Sequence, residues 1–324
     1  MTTKKAFQRA LLKWNRKNGR SLPWRRTRDP YAVLVSEIML QQTQVVTVLP
    51  YYKKWLQRFP TFAALARASE NDVLHAWQGL GYYNRARNLH ATAKLVTNRY
   101  CGRFPPALGE IQKLPGVGKY TAHAIGTFAF NQGVPIVEAN VSRVLSRVFN
   151  SRTSIDSTDG RNALWAYAAS LVPKESAAYY NSALLDLGAL ICLPRNPKCG
   201  ICPVKNFCRA KDPESLPVRR PRPGTKRLIE RHAWIVRQNR ILLQSAVHRW
   251  RGMWILPPLN GSRKKNAASY TTKFPFTNHQ ITLAIFRQPQ RKIDKKRERW
   301  FTIRQLHSVP IPSPHRRAIE AFLN

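Results

Sequence analysis

Apolar residues return every three to four positions through most of residues 1–208, the spacing of helices that bury one face. Val141, Val144, Leu145 and Val148 form one such stripe. Pro and Gly interrupt the pattern at Pro30, Pro50, Pro60, Gly79-Leu80-Gly81, Pro105-Pro106, Pro115-Gly116, Pro135 and Pro173, which predicts many short helices joined by tight turns. From 209 to 227 the composition shifts, and the proline-rich run from Asp212 to Gly224 can sustain neither a helix nor a central strand, so it reads as a basic linker. Beyond it the period drops to two. His232–Arg237 and Arg240–Gln244 read as strands joined by a turn at Gln238-Asn239, and Gln280–Phe286 alternates likewise. Pro314–Asn324 reads as a closing helix. The pattern predicts a mostly α N-terminal two-thirds and a separate small C-terminal α+β domain.

The 324 residues carry 55 Lys+Arg against 16 Asp+Glu, a formal charge of +39. Such an excess gives a salt-sensitive affinity for phosphate backbones. An anionic membrane surface and a solvated basic face are the alternatives. The basic residues run through the whole chain and form no single amphipathic helix, which favours nucleic acid. No apolar run reaches membrane-spanning length. The N-terminus lacks the apolar core of a signal peptide; it is amphipathic and acid-poor, as an organellar transit peptide is, but a first structural helix is the simpler account.

Four of the five cysteines crowd into C-x6-C-x2-C-x5-C, namely Cys192, Cys199, Cys202 and Cys208, with Cys101 far away. Four soft thiolates so close in sequence fit zinc or an iron–sulfur cluster, and the spacing leaves that choice open. A disulfide framework belongs to small secreted chains, which this is not. A reducing compartment, the cytoplasm and its nucleoid, suits the thiolates.

Candidate chemistry sits in three places. Leu114-Pro-Gly116-Val-Gly118-Lys119-Tyr120 is a glycine turn leading into a helix expected near Thr121, where free N–H groups face an anion; an ordinary helix–helix turn explains it as well. Glu37 lies among Val33, Leu34 and Leu40 on one helical face, where desolvation raises a carboxyl pKa and keeps it neutral as a general acid requires. Glu138 precedes the helix bearing the Val141 stripe, and a helix N-terminus favours the ionised form; a simple capping acid is the bland account. One neutral and one ionised carboxylate suit acid-assisted cleavage of a glycosidic bond. Trp24, Tyr82, Tyr83 and Tyr120 interleave with these elements, and Tyr82 on the Gly79–Gly81 turn has the place of a base-step wedge, although core packing explains any one aromatic alone.

The combination resembles the adenine DNA glycosylases of the MutY type, in the helix–hairpin–helix superfamily. The matching stretches are Pro23-Trp24, Ser36–Gln44, Gly79–Asn88, Leu114–Gly118, Asn140–Val144 and the four cysteines, which together cover about residues 20–208. The resemblance implies a 4Fe–4S cluster on Cys192, Cys199, Cys202 and Cys208. It also implies removal of adenine mispaired with 8-oxoguanine or guanine in duplex DNA, by a monomer. Its domains would be a cluster subdomain (1–21 with 131–210), a six-helix helix–hairpin–helix subdomain (22–130), a linker (211–230) and a Nudix-like lesion-reading domain (231–324). Glu37 would protonate the flipped adenine and Glu138 would support the sugar cation or trap it covalently, with Tyr120 and Asn140 holding the geometry. Gln42 and Tyr82 would fill or wedge the stack, and Trp24, Arg25, Leu40, Gly116, Gly118 and Lys119 complete the DNA-facing set. Tyr120 stands where endonuclease-III-type relatives carry Lys, so base excision without efficient strand cleavage is expected.

Three positions depart from the family pattern. Glu138 replaces the usual Asp, Ser182 replaces a longer Gln or Glu at the adenine pocket, and Phe276-Thr277-Asn278-His279 stands for a Phe-Ser-His lesion loop. Two rival readings follow: a mismatch-binding protein with weakened catalysis, and a glycosylase for another base such as mismatched thymine. No Asp or Glu lies between Glu230 and Asp294, which excludes a metal-dependent diphosphate hydrolase there. The basic run Arg291–Arg299 is either a DNA-facing strip or a solvated loop.

Overall fold

The computed structural model describes residues 3–221, 223–259 and 267–323. In chain order the helices are α1 (Thr3–Asn18), α2 (Pro30–Leu40), α3 (Val45–Arg58), α4 (Phe62–Arg67), α5 (Glu70–Ala76), α6 (Asn84–Arg99) and α7 (Leu108–Gln112). They continue with α8 (Lys119–Phe128), α9 (Ala139–Val148), α10 (Thr158–Leu171) and α11 (Ala177–Leu190). Seven strands follow: β1 (Lys226–Trp234), β2 (Val236–Arg237), β3 (Arg240–Ser245), β4 (Trp254–Ile255), β5 (Tyr270–Phe276), β6 (His279–Arg287) and β7 (Glu298–Thr302). Helix α12 (Ser313–Leu323) closes the chain. No helix among the described residues is long and apolar enough to cross a membrane.

Contact density groups the chain into two compact units, Met1–Gln42 with Leu95–Pro221, and Thr43–Lys94 with Arg222–Asn324. In the first, α1 packs on α11, α11 on α9, and α2 on α8. Its core joins Phe7 and Leu11 to the Val141, Val144, Leu145 and Val148 stripe and to Leu184 and Leu187. Helix α2 is apolar on all sides because it runs through the interior, and every residue from Tyr31 to Met39 is buried. Asp29 caps it by accepting N–H bonds from Tyr31 (3.0 Å) and Ala32 (3.3 Å), with Pro30 in the first turn where its missing donor costs nothing.

In the second unit β1 pairs in parallel with β6, and β5 pairs with β6 antiparallel. A second sheet forms on β3, which pairs antiparallel with β2, β4 and β7. The turn at Gln238 (φ 44°) and Asn239 (φ 58°) has both residues left-handed, as a two-residue hairpin requires. Two sequence expectations need correction. The stretch from His232 to Arg237 is not one strand: the chain leaves one sheet after Trp234 and joins the other at Val236, with Ile235 buried at the switch. Strand β1 also begins at Lys226, inside the stretch that reads as linker, because its first residues are exposed and charged although hydrogen-bonded to β6.

Candidate active site

Glu37 sits in the last turn of α2 and is only 5 % exposed. Burial pushes its carboxyl from 4.5 up to about 7, with the charge of Glu138 adding to the rise. A hydrogen bond from the Tyr120 hydroxyl and the charge of Arg25 pull the other way. Tyr120 comes from the first turn of α8, and burial together with both carboxylates holds its phenol protonated, so it remains a donor. Gln41, one turn on from Glu37, reaches Thr121 Oγ1 at 3.5 Å. The burial of Glu37 that the helical spacing predicts is what the structure has.

Glu138 caps α9 with both oxygens. Oε1 accepts from the Val141 N–H at 2.8 Å, and Oε2 accepts from the Asn140 N–H at 2.8 Å and from Asn140 Nδ2 at 3.3 Å. The sequence reading expected the helix to lower this carboxyl's pKa. The net shift is upward: burial raises it, and the two N–H bonds, Arg143 and Arg20 only partly offset that rise. The helix-terminus rule is local, whereas the burial is supplied by the tertiary fold.

Asn140 is held in turn, its Oδ1 accepting from Arg143 NH2 at 2.7 Å. Arg143 also donates to Gly188 O (2.7 Å) and Cys192 O (2.7 Å), tying the capped end of α9 to the cysteine loop. One turn later Arg147, 2 % exposed, donates to the carbonyls of Pro213, Leu193 and Pro194 and to Cys192 Sγ at 3.2 Å.

Sequence reading missed Asp186, whose carboxylate is 0 % exposed. It accepts from Arg25 NH1 (2.7 Å) and NH2 (3.0 Å), from Arg20 Nε (2.7 Å) and backbone N (3.0 Å), and from Asn15 Nδ2 (3.2 Å). Burial alone would lift its pKa, but the two guanidinium groups outweigh that and bring it below the ordinary aspartate value. Arg25 also reaches Ser182 O at 3.4 Å, so Ser182 lies beside the same hub. Only scarcity of acids singles Asp186 out in the sequence, since its partners are up to 171 residues away.

The hairpin turn has Gly116 at φ 74°, and α8 begins at Lys119, two residues ahead of expectation. A Cβ added at Gly118 meets nothing within 4 Å and the residue's φ is an ordinary −86°, so the protein's own packing leaves that side of the backbone open to approach. Lys119 Nζ lies 4.2 Å from the Trp165 ring centroid. Trp24 is buried, Leu40 and Arg25 are partly buried, and Gln42 is exposed at φ 56°.

In the second unit Tyr82 is 48 % exposed and left-handed (φ 48°), a conformation that costs about 1–3 kcal/mol in a non-glycine residue and persists only where neighbours impose it. They do. Arg85 NH2 donates to Leu80 O (3.0 Å), Gly81 O (3.1 Å) and Thr43 Oγ1 (3.1 Å), and its guanidinium lies 5.6 Å from the Tyr82 ring centroid. Trp77 Nε1 donates to Gly81 O at 3.0 Å, and Tyr51 donates to Gln78 O at 2.9 Å. Gly79 (φ 104°) admits no side chain, since a Cβ there would collide with the Tyr51 hydroxyl.

Thr277 and Asn278 are exposed on the β5–β6 turn, Thr277 at φ 52°, and His279 begins β6. In the basic run, Arg291 is spent on the buried Glu298 (2.5 and 3.0 Å), while Lys292, Lys295, Lys296 and Arg297 are exposed.

None of the four clustered cysteines is in a disulfide, and each of Cys192, Cys199 and Cys208 acts electrostatically on Cys202. No group of three or more ligating side chains is closed to coordination distance among the described residues. The donor chemistry nonetheless fits a metal–sulfur group: four soft sulfurs, with Arg147 donating to one of them and backbone N–H groups at two others. Cys192, Cys199, Cys202 and Cys208 would hold it, and the bound group would fix the loop against α9.

Residues 35–169 match the HhH-GPD superfamily of base excision DNA repair proteins, and residues 192–208 match the iron–sulfur binding domain of endonuclease III, so the cofactor is a 4Fe–4S cluster. A thermostable thymine-DNA glycosylase structure shares 35 % identity at TM-score 0.59, covering 64 % of this chain and 95 % of that one. An endonuclease III–DNA complex at 23 % identity (TM-score 0.54; 64 % and 96 % covered) shares the fold. The adenine DNA glycosylase of Buchnera aphidicola subsp. Schizaphis graminum is 32 % identical over 98 % of both chains. The human adenine DNA glycosylase is 44 % identical over 64 % of this chain and 39 % of its own length. The chain belongs to the adenine DNA glycosylase family.

Proposed function

We propose that this protein removes adenine mispaired with 8-oxoguanine or guanine from duplex DNA, hydrolysing the N-glycosidic bond and leaving the strand uncut. The observation that carries the reading is the Glu37 carboxyl, buried, lifted to about 7, bonded by Tyr120 and within electrostatic reach of a second carboxylate on α9. Glu37 gives its proton to the departing adenine. Glu138 sets negative charge beside the sugar cation, with Asn140 and the α9 amides fixing both of its oxygens. Flipping the base out costs a few kcal/mol, which a mispair lowers and the basic surface offsets. Tyr120 has no amine and the Lys119 amine lies over the Trp165 ring, which together disfavour a Schiff-base step. Gln42, Leu40, Trp24, Ser182 and the hairpin from Gly116 to Lys119 are assigned to DNA and the adenine pocket, whereas Arg25, expected there from the sequence, has its guanidinium engaged by Asp186 and acts on the site through its charge. Tyr82 is assigned as the wedge, and Thr277, Asn278 and His279 to the opposing lesion. A monomer working in the cytoplasmic nucleoid completes the assignment.

Single-turnover assays on duplexes with A opposite 8-oxoguanine, A opposite G and T opposite G test this reading. Adenine release from the first two alone supports it. Binding without release, or release of thymine, overturns it.

The rate should follow a bell-shaped curve. Above about pH 7 it falls as Glu37 loses its proton, and on the acid side it falls as Glu138 is neutralised, beginning above the ordinary carboxylate range because burial raises that group. A rate unchanged from neutrality well into the alkaline range would remove Glu37 as the acid.

Glu138→Asp shortens the side chain by one methylene but keeps a residue well suited to capping α9. It should retain or raise the single-turnover rate. A collapse of that rate would show that the site is built around the longer acid.

A further inference from the structure

The turn that carries Tyr82 is also held from the C-terminal domain. Arg316, in the first turn of α12, donates through NH2 to Leu306 O (3.1 Å) and Val309 O (3.1 Å), which fixes the guanidinium against its own domain. The same group meets the side-chain amide of Gln78, which leads into the turn; with that amide turned to present its oxygen, both Nε and NH2 donate to it. Ser313 of α12, Gly79 and Arg316 are the polar surroundings of the buried Tyr83 hydroxyl, next to Tyr82 in the chain. A second bond joins the two segments where His75 Nε2 meets His307 O at 2.6 Å. One side of the turn is therefore anchored to α12 and the segment before it, while Tyr82 projects to solvent on the other. Helix α12 also packs against β5, the strand that ends at the Thr277-Asn278 turn.

We propose that Arg316 is a positioning residue for Tyr82, and that through it the C-terminal domain sets where the wedge stands. The proposal rests on the reading of Tyr82 as a wedge given above. A left-handed tyrosine that directly follows a turn with two positive-φ glycines, Gly79 and Gly81, keeps one orientation only while its surroundings over-determine it. Arg316 supplies the part of that constraint that comes from the C-terminal domain, beside the contribution of Tyr51 from α3.

The test uses the full chain and a duplex with 2-aminopurine beside the purine opposite adenine, whose fluorescence rises when a wedge unstacks it. Arg316→Ala and, from the other side of the contact, Gln78→Ala should each lower that rise by about threefold or more, with Arg316→Lys restoring part of it. Thermal stability and overall duplex affinity should stay near wild type, which separates positioning from general loss of structure. In a Tyr82→Ala background, Arg316→Ala should change nothing further. If Arg316→Ala does not fold, Gln78→Ala decides. An undiminished fluorescence rise in a folded variant, or an equal further loss in the Tyr82→Ala background, overturns the proposal. Failure of the wild type to release adenine would count against the function proposed above, and the fluorescence arm would still read the wedge.

Discussion

Glu37→Gln is expected to lower single-turnover base release by about 10³-fold while duplex binding persists, the loss that removing a positioned general acid brings. Gln fills the same space and can still bond Tyr120, but it carries no transferable proton. The same variant should reveal what the acid costs the fold. Because the folded pKa of Glu37 (about 7) lies above its ordinary value of 4.5, the folded state binds the proton more tightly. That contribution to stability is fully present below the ordinary value and is lost as pH rises through about 7. Between pH 5 and 8 the wild type should lose about 2–3 kcal/mol that the variant keeps. Chemical denaturation at the two pH values measures this. Equal pH dependence in both proteins would mean that Glu37 is solvated, and unchanged base release would remove it from the mechanism.

Asp186→Ala should be the most damaging single change to the fold, costing about 3–5 kcal/mol, since it leaves Arg20 and Arg25 beside a buried void with no counter-charge. Asp186→Asn should cost less, because the amide oxygen still accepts. The effect should reach the chemistry as well. Arg25 already lowers the Glu37 pKa, and without Asp186 to neutralise it that pull grows, so the alkaline limb of the rate profile should move to lower pH. In the wild type the Asp186 contribution is present above the ordinary aspartate range and fades as pH falls through its depressed value. Unfolding free energies and a pH–rate profile of both variants decide the matter. A loss under about 1 kcal/mol would show that the hub is not what holds α1 and α11 together.

What could be read from the sequence is what local spacing encodes. Glu37 among Val33, Leu34 and Leu40 was legible as a buried acid because one helical turn fixes those neighbours. The Gln238-Asn239 turn, the Val141 stripe and the cysteine spacing were legible for the same reason. Asp186 was not, because its ligands Asn15, Arg20 and Arg25 arrive from the far end of the chain. Nor was the use of Arg85, Arg143 and Arg147, which count toward the +39 charge yet are buried and bonded to carbonyls of the protein itself. Residue type announced an attraction for phosphate, and only packing shows which guanidinium groups are already engaged. The upward shift of Glu138 was missed likewise, since its cap is local and its burial is not.

The acidity of Glu37 belongs to the packed interior rather than to the residue. While α2 is still wet, that carboxyl has already shed its proton at neutral pH and can attack nothing. Closing of the interior is therefore what lets Glu37 hold a proton near neutral pH, and a copy in which α2 is loosened loses that acid.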